Sequence, residues 1–182
     1  MKISTRNWQT KQRQGCAAMG LVELMVASAI GSILLLAVAL LSIFGARSFA
    51  AMGNYADLDR ASRNALDTMS REIRQTRALT NASATSLSFI DNDNSSLKYQ
   101  YDSSTGKLTR QKGGTTTTLL TQCDYLNFDI SQRNPSNNFT FFATTNLSEA
   151  KLIDVSWKCS RKILGAKVNT ESVQTAKIVI RN

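Results

Sequence analysis

The sequence predicts an α+β protein in which one long N-terminal helix packs on a C-terminal antiparallel β-sheet. Three observations predict this layout. Residues 24–44 carry no formal charge, residues 55–73 repeat apolar side chains every three or four positions, and from Thr80 onward the apolar period falls to two. The first two patterns are typical of helices and the third is typical of strands.

The uncharged run is long enough to cross a membrane. Its 21 residues from Leu24 to Phe44 would form roughly 30 Å of helix at about 1.5 Å per residue, which matches the hydrocarbon thickness of a bilayer. Glu23 stands at the edge of this run and is the only acid between residues 14 and 44. A carboxylate near the centre of a membrane costs about 2.5–3.5 kcal/mol, so Glu23 calls for a cationic partner.

The helical pattern continues past the apolar run. Apolar side chains recur at helical spacing while most charged residues fall on other faces, which indicates an amphipathic helix. Two acid-before-base pairs, Asp59 with Arg63 and Asp67 with Arg71, stand four residues apart. Because no proline interrupts residues 19–79, we expect one helix of about 60 residues that ends near Leu79 to Asn81. The apolar stripe comprises Tyr55, Leu58, Ala61, Ala65, Leu66, Met69 and Ile73.

Alternating apolar and polar residues predict strands in the remainder of the chain. Leu87 and Phe89 alternate with polar residues, and so do Leu97, Tyr99 and Tyr101. A turn at residues 103–106 then leads into Lys107 to Gln111, which predicts a β-hairpin. Polar, turn-rich segments separate the other predicted strands. Those strands are Thr116–Leu120, Tyr125–Ile130, Phe139–Ala143, Leu152–Cys159 and Thr175–Ile180.

A short basic leader precedes the apolar run. Four positive residues and no acid lie within residues 1–18, and the sequence then continues as Ala-Met-Gly-Leu-Val-Glu, residues 18–23. This segment resembles the N-terminus of type IV prepilins and of the pseudopilins of type II secretion, whose usual motif is Gly-Phe-Thr-Leu-Ile-Glu. Ala18, Met19 and Gly20 depart from that motif. The region from Leu58 to Thr80, which includes Met-Ser-Arg-Glu-Ile-Arg-Gln, also resembles J-type minor pseudopilins (PulJ-like) and W-type minor pilins (PilW-like).

The resemblance implies a processing site and an assembly residue. A prepilin peptidase would cut after Ala18, the last leader residue, and Met19 would become the N-methylated mature N-terminus. Glu23 would then be the fifth residue and would pair with the N-terminal amine of a neighbouring subunit. The implied organisation is pilin-like, with a leader at 1–18, a transmembrane or filament-core half at 19–49 and a periplasmic head at 50–182. Within this head, the amphipathic helix covers 50–79 and the β domain 80–182.

Other N-terminal interpretations stay open. A conventional signal peptide would be cut after Ala50, although its apolar core normally has 7–15 residues. An uncleaved signal anchor is a second alternative. Gln14-Gly15-Cys16 resembles the end of a lipobox, but here the apolar core follows the cysteine instead of preceding it.

Charge and composition narrow the function classes. The net charge of +9 falls to +5 when the four leader charges are removed, and those leader charges would hold the N-terminus in the cytoplasm. The arginines of residues 60–77 alternate with acids, which favours a solvated face or a subunit contact over a nucleic-acid site.

The chain has no histidine and no Gly-rich phosphate loop, so we expect no catalytic site and no cofactor. Asp91-Asn92-Asp93-Asn94 suggests a calcium loop, but Ser96 occupies the place of the required glycine, and we expect a polar hairpin connection and no metal.

Two of the three cysteines remain after leader removal. Cys16 lies in the leader, whereas Cys123 and Cys159 form an even pair that an oxidising periplasm would bond. Two unpaired buried thiols are the alternative.

The expected function is that of a minor, non-enzymatic structural subunit of a type II secretion pseudopilus or a type IV pilus. It would cross the bacterial inner membrane once, with its N-terminus cytoplasmic. Its partners would be other pilin or pseudopilin subunits, prepilin peptidase and the inner-membrane assembly platform, with a secretion substrate or surface ligand for the head. A pilus-tip adhesin, a DNA-uptake minor pilin and a signal-anchored periplasmic enzyme are the alternatives.

Overall fold

The computed structural model describes residues 20–136, 140–162 and 171–180. It has the predicted α+β layout, with one long helix near the N-terminus followed by antiparallel strands. The elements are α1 (Leu21–Gln75), β1 (Thr76–Ser83), β2 (Ser86–Asp91), β3 (Ser96–Asp102), β4 (Lys107–Lys112), β5 (Thr115–Leu120), β6 (Cys123–Arg133), β7 (Phe141–Ala143), β8 (Ala150–Ser160) and β9 (Glu171–Val179).

The strands form two antiparallel sheets, where the sequence predicted one. The first is a five-stranded meander in the order β1-β2-β3-β4-β5, and the second has the order β7-β6-β8-β9. Each of the predicted strands overlaps an observed one, although Phe139 lies outside the described residues and Thr140 and Ile180 lie outside the observed strands. The number of sheets could not be predicted because alternation shows which residues share a face but not which strands pair.

Helix α1 ends earlier than expected. The predicted amphipathic helix reached residue 79 with the β domain starting at 80, but the helix ends at Gln75 and β1 begins at Thr76. The Thr76 hydroxyl donates to the Ile73 carbonyl at 2.7 Å and so satisfies one of the last helical acceptors. From there, pairing of β1 with β2 places Leu79 opposite Phe89. This strand pairing with a distant segment overrides the local helical spacing.

The chain divides into two units, one of residues up to Gly45 and one from Ala46 onward. We call the described residues from Ala46 onward the head domain. Its core contains most of the predicted helical stripe, since Leu58, Ala65, Met69 and Ile73 are buried. Tyr55, which the pattern also assigned to the stripe, is half exposed.

The second half of α1 is bonded to both sheets. Trp157 on β8 donates its indole N–H to the Ser62 hydroxyl at 3.2 Å, and Gln174 on β9 donates to Asp59 at 3.2 Å. Near the helix end, Glu72 accepts hydrogen bonds from Arg110 on β4 and from the Tyr99 hydroxyl on β3. These contacts hold one face of the helix against the sheets.

Glu72 is a buried carboxylate, and its partners keep it ionised. Burial raises the pKa of Glu72, but the hydrogen bonds from Arg110 and Tyr99 and the charge of Arg110 outweigh that effect and hold the pKa below its usual range. The pKa of Tyr99 is raised well above its usual range by burial and by the bond to Glu72. Tyr99 therefore remains a hydrogen-bond donor, and Glu72 remains an acceptor.

We expect a soluble fragment of residues 50–182 to fold alone as one helix on two antiparallel sheets. The fragment retains the buried helix stripe and both sheets, and it lacks most of the exposed apolar segment. Circular dichroism and size-exclusion chromatography check this expectation. A mostly helical or unfolded fragment would contradict the architecture.

Glu72→Gln should lower the free energy of unfolding of that fragment at pH 7 by about 2 kcal/mol, because it leaves the partly buried Arg110 without its counter-charge. The pKa of Glu72 is lowered in the folded state. Its stabilisation is therefore present above the unfolded pKa, near 4.5, and is lost as the pH falls through the folded value.

Urea unfolding at pH 7 and at pH 3 measures the effect of Glu72→Gln. The difference between wild type and variant should shrink at the lower pH. Glu149→Gln, which changes an exposed acid of the same head domain, is the matched control and should have little effect at either pH. An equal loss from both variants would remove the special role of Glu72.

Candidate assembly site

The first half of α1 lacks a covering surface of its own. Between Leu21 and Phe44 its large apolar side chains expose between 51% and 78% of their area. The most apolar 18-residue window has a mean hydropathy of 2.6, and none of it is buried. In the part of the chain that the structure describes, this is one helix near the N-terminus that is long and apolar enough to cross a membrane. An exposed apolar surface of this kind is typical of a segment that contacts a membrane or another protein.

Glu23 lies in the first turn of this helix and is exposed. The Gly20 carbonyl accepts the backbone N–H groups of Glu23 at 2.9 Å and Leu24 at 3.2 Å, so the helix starts just before the acid. An acidic side chain at a helix N-terminus interacts favourably with the helix dipole by about 0.3–1 kcal/mol. The geometry therefore presents a negative charge beside the start of the apolar segment.

The predicted processing site lies outside the described residues. Ala18 and Met19 both precede Gly20, where the description begins, so the cleavage position stays a prediction. Glu23 also stays a predicted assembly residue, since its partner would come from another chain.

Comparisons with protein-family models, with curated proteins and with solved structures found no match to this chain.

The two predicted cysteine partners lie opposite each other on neighbouring strands. Cys123 on β6 is in register with Cys159 on β8, and both are buried. The Ser160 N–H donates to the Gln122 carbonyl at 3.0 Å, which makes the cysteines the non-hydrogen-bonded pair next to that bond. Directly opposed residues in such pairs have Cα atoms about 4.5 Å apart, within the range of about 4.4–6.8 Å that disulfides use.

The structure gives both cysteines as free thiols, so the bond between them stays a prediction. In the reduced form, the hydrogen bond between the two thiols lowers the pKa of Cys123. The same bond and burial raise the pKa of Cys159.

A polar hollow beside Cys123 was not predicted from the sequence. It has a volume of about 480 Å³ and opens next to the turn between β3 and β4. Gly106 in that turn has φ of +62°, and a side chain there would begin 3.1 Å from the Cys123 carbonyl. The Cys123 N–H also donates to the Gly106 carbonyl at 2.9 Å. The turn at residues 103–106 could be predicted from the sequence, but the contact of this turn with β6 depends on the tertiary structure. The lining comprises Ser103, Ser104, Thr105, Gly106, Gln122, Cys123, Asp124, Ser160 and Lys162.

The segment that suggested a calcium loop is a hairpin connection between β2 and β3. Asp91 forms an ion pair with Lys112 at 2.5 Å, and Asp93 accepts the Ser95 N–H at 2.9 Å. Asn94 has φ of +61°, a conformation that asparagine tolerates better than most residues. These carboxylates have partners within the protein.

We expect Cys123 and Cys159 to form a disulfide when the head domain is produced in an oxidising compartment. Non-reducing peptide mapping detects the bond directly. Closing a loop of about 37 residues should stabilise the folded state by about 3–4 kcal/mol. Reductant should therefore lower the urea midpoint of the wild-type fragment and leave that of a Cys123→Ala, Cys159→Ala variant unchanged. Free thiols after oxidative production would contradict the bond.

Proposed function

We propose that this protein is a minor prepilin-like structural subunit of a type II secretion pseudopilus or a type IV pilus. One observation carries the proposal. An uncovered helix of membrane length holds an acid in its first turn and continues into a stretch that packs on antiparallel sheets. This arrangement supports a subunit that resides in a bilayer before assembly and buries the same apolar surface against other subunits afterwards.

The proposed processing step creates the group that Glu23 binds. Prepilin peptidase cuts between Ala18 and Met19, and Met19 becomes the N-methylated N-terminus. Glu23 of one subunit then pairs with the Met19 amine of its neighbour. This ion pair offsets the cost of a charge at the apolar boundary and sets the axial position of one helix against the next.

The leader determines the orientation in the proposal. Its four positive charges keep residues 1–18 in the cytoplasm, so that the helix crosses the inner membrane once and the head domain lies in the periplasm. A periplasmic head is also the setting in which a Cys123–Cys159 bond would form. The head domain has a pilin-like role here, facing outward and contacting other subunits. The proposed partners are those subunits, the peptidase and the inner-membrane assembly platform.

Co-expression with a prepilin peptidase should convert the chain to a product that begins at Met19 and carries one methyl group. Intact mass and N-terminal peptide mapping check the cut and the modification. An uncut control without the peptidase identifies the full-length mass. A product that begins at Ala51, or no processing at all, would contradict the proposal.

Glu23→Ala should leave cleavage and membrane insertion nearly intact but greatly reduce incorporation into filaments, because the neighbouring amine loses its partner. Glu149→Ala, which removes an exposed acid of the head domain, is the matched control and should assemble normally. Immunoblotting of sheared filament fractions measures incorporation. Full assembly of the Glu23→Ala variant would remove the pairing role.

A further inference from the structure

Most acids in the second half of α1 are bonded to other parts of the head domain. Four acids lie on the helix between residues 57 and 72, and three of them are bonded to strands or to the segment after β8. Asp57 pairs with Arg161 at 3.4 Å, and Asp59 accepts a hydrogen bond from Gln174 at 3.2 Å. Glu72 is held by Arg110. Asp67 is the fourth and lies on the exposed face.

The arginines lie on that exposed face. Arg60, Arg63, Arg71 and Arg74 are all exposed, and together with Asp67 they follow steps of three and four residues. This spacing puts them on one side of the helix, along about 21 Å of its length. In the described part of the chain, Arg60, Arg71 and Arg74 form no ion pair within 4.0 Å, whereas Arg63 pairs with Asp59 at 2.8 Å.

The acids that stand near the arginines in the sequence do not all lie beside them on the surface. In the sequence the two kinds of charge alternate, which suggested that the surface charge is compensated. In the fold, Asp59 and Glu72 are bonded to strands and Asp57 to the segment after β8, and the outer face has four arginines and one aspartate. The predicted pair of Asp59 with Arg63 is present, but among the described residues Asp67 and Arg71 do not come within 4.0 Å.

The same face continues toward the N-terminus with small and apolar residues. Phe49, Gly53 and Ala56 precede Arg60 at steps of four, three and four, and all three are exposed. Open space surrounds Gly53, since a Cβ added there would meet no other part of the chain within 4 Å. Small residues allow the backbone of a second helix to approach closely, beside a large apolar side chain that it covers.

We propose that this outer face of α1, from Phe49 to Arg74, docks a helix of a different subunit whose contacting side is acidic. The inference rests on the proposed function and names the partner of the helix within the filament. Charge complementarity selects a different subunit, because the same face of a second copy would place arginines against arginines. Asp57, Asp59 and Glu72 of a second copy already have partners within its own head domain. Asp67 within the arginine row fits a helix that carries a mixed acidic pattern better than a uniform polyanion such as nucleic acid. An open depression of about 470 Å³ lined by Asp67, Ser70, Arg71, Arg74 and Gln75 leaves room for partner side chains.

The test uses the full chain in cells that produce it naturally. A photo-crosslinking amino acid replaces Asn64, which is exposed between Arg63 and Asp67. Mass spectrometry then maps the peptide to which it attaches. We expect an adduct with a helix of a different protein, with aspartate or glutamate on the crosslinked face.

Charge variants decide whether the arginines cause the contact. Arg71→Glu with Arg74→Glu should reduce the adduct at least about tenfold, whereas lysine at both positions should retain most of it. Lys98→Glu with Lys107→Glu makes the same change in net charge on the first sheet and is the matched control. It should leave the adduct unchanged.

Other adducts overturn the inference. A crosslink to a second copy of this chain, to nucleic acid or to lipid, or no crosslink at all, would each contradict an acidic partner helix. Cleavage at Met19 is scored in the same cells. Cleavage without the expected adduct would reject this surface alone, and the adduct without cleavage would reject the proposed function while keeping the surface.

Discussion

Helix α1 has apolar side chains along its whole length, and the head domain covers those of only the second half. Burial of Leu58, Ala65, Met69 and Ile73 covers one stripe of that second half. The apolar side chains before Gly45 remain exposed by half or more of their area. Burying apolar surface contributes roughly 25 cal/mol per Å², so an uncovered segment of this size favours an apolar environment. The proposed function places this exposed apolar segment in a bilayer before assembly and against other subunits afterwards.

The contacts that fasten the second half also decide which surface is left for partners. Glu72 is held by Arg110 and Tyr99, and Asp59 is held by Gln174. These bonds fix the rotation of the helix on the sheets. Asp59 and Glu72 are turned toward the strands, whereas Asp67 and the arginines that stand near it in the sequence are turned outward.

The elements of the fold could be predicted from the sequence because their patterns are local. The uncharged run, the stripe ending at Ile73 and the alternation of Ile153, Val155 and Trp157 are each visible in a few neighbouring residues. Of these, Ile73, Ile153, Val155 and Trp157 are buried. The boundary at Gln75 could not be predicted because it depends on pairing between β1 and β2. The division into two sheets depends on strand pairing in the same way.

Of the candidate site, Glu23 and the cysteine pair could be identified from residue type and position. The register that sets Cys123 opposite Cys159 could not, since nothing local fixes how β6 meets β8. The sequence pattern placed the arginines away from the apolar stripe, and Arg60, Arg63, Arg71 and Arg74 are exposed. It could not show which acids the strands bind, because that depends on the tertiary structure. Long-range pairing is the information that the local patterns lack.

In the proposed arrangement, the apolar half of α1 lies in a bilayer while the second half lies in water on the head domain. Spin labels on unnatural amino acids at positions 34 and 64 of the full chain in lipid nanodiscs test it most directly. The account predicts that the label at 34 is reached by oxygen and shielded from a polar nickel chelate, and that the label at 64 shows the opposite. Free access of the nickel chelate to position 34 would contradict the account.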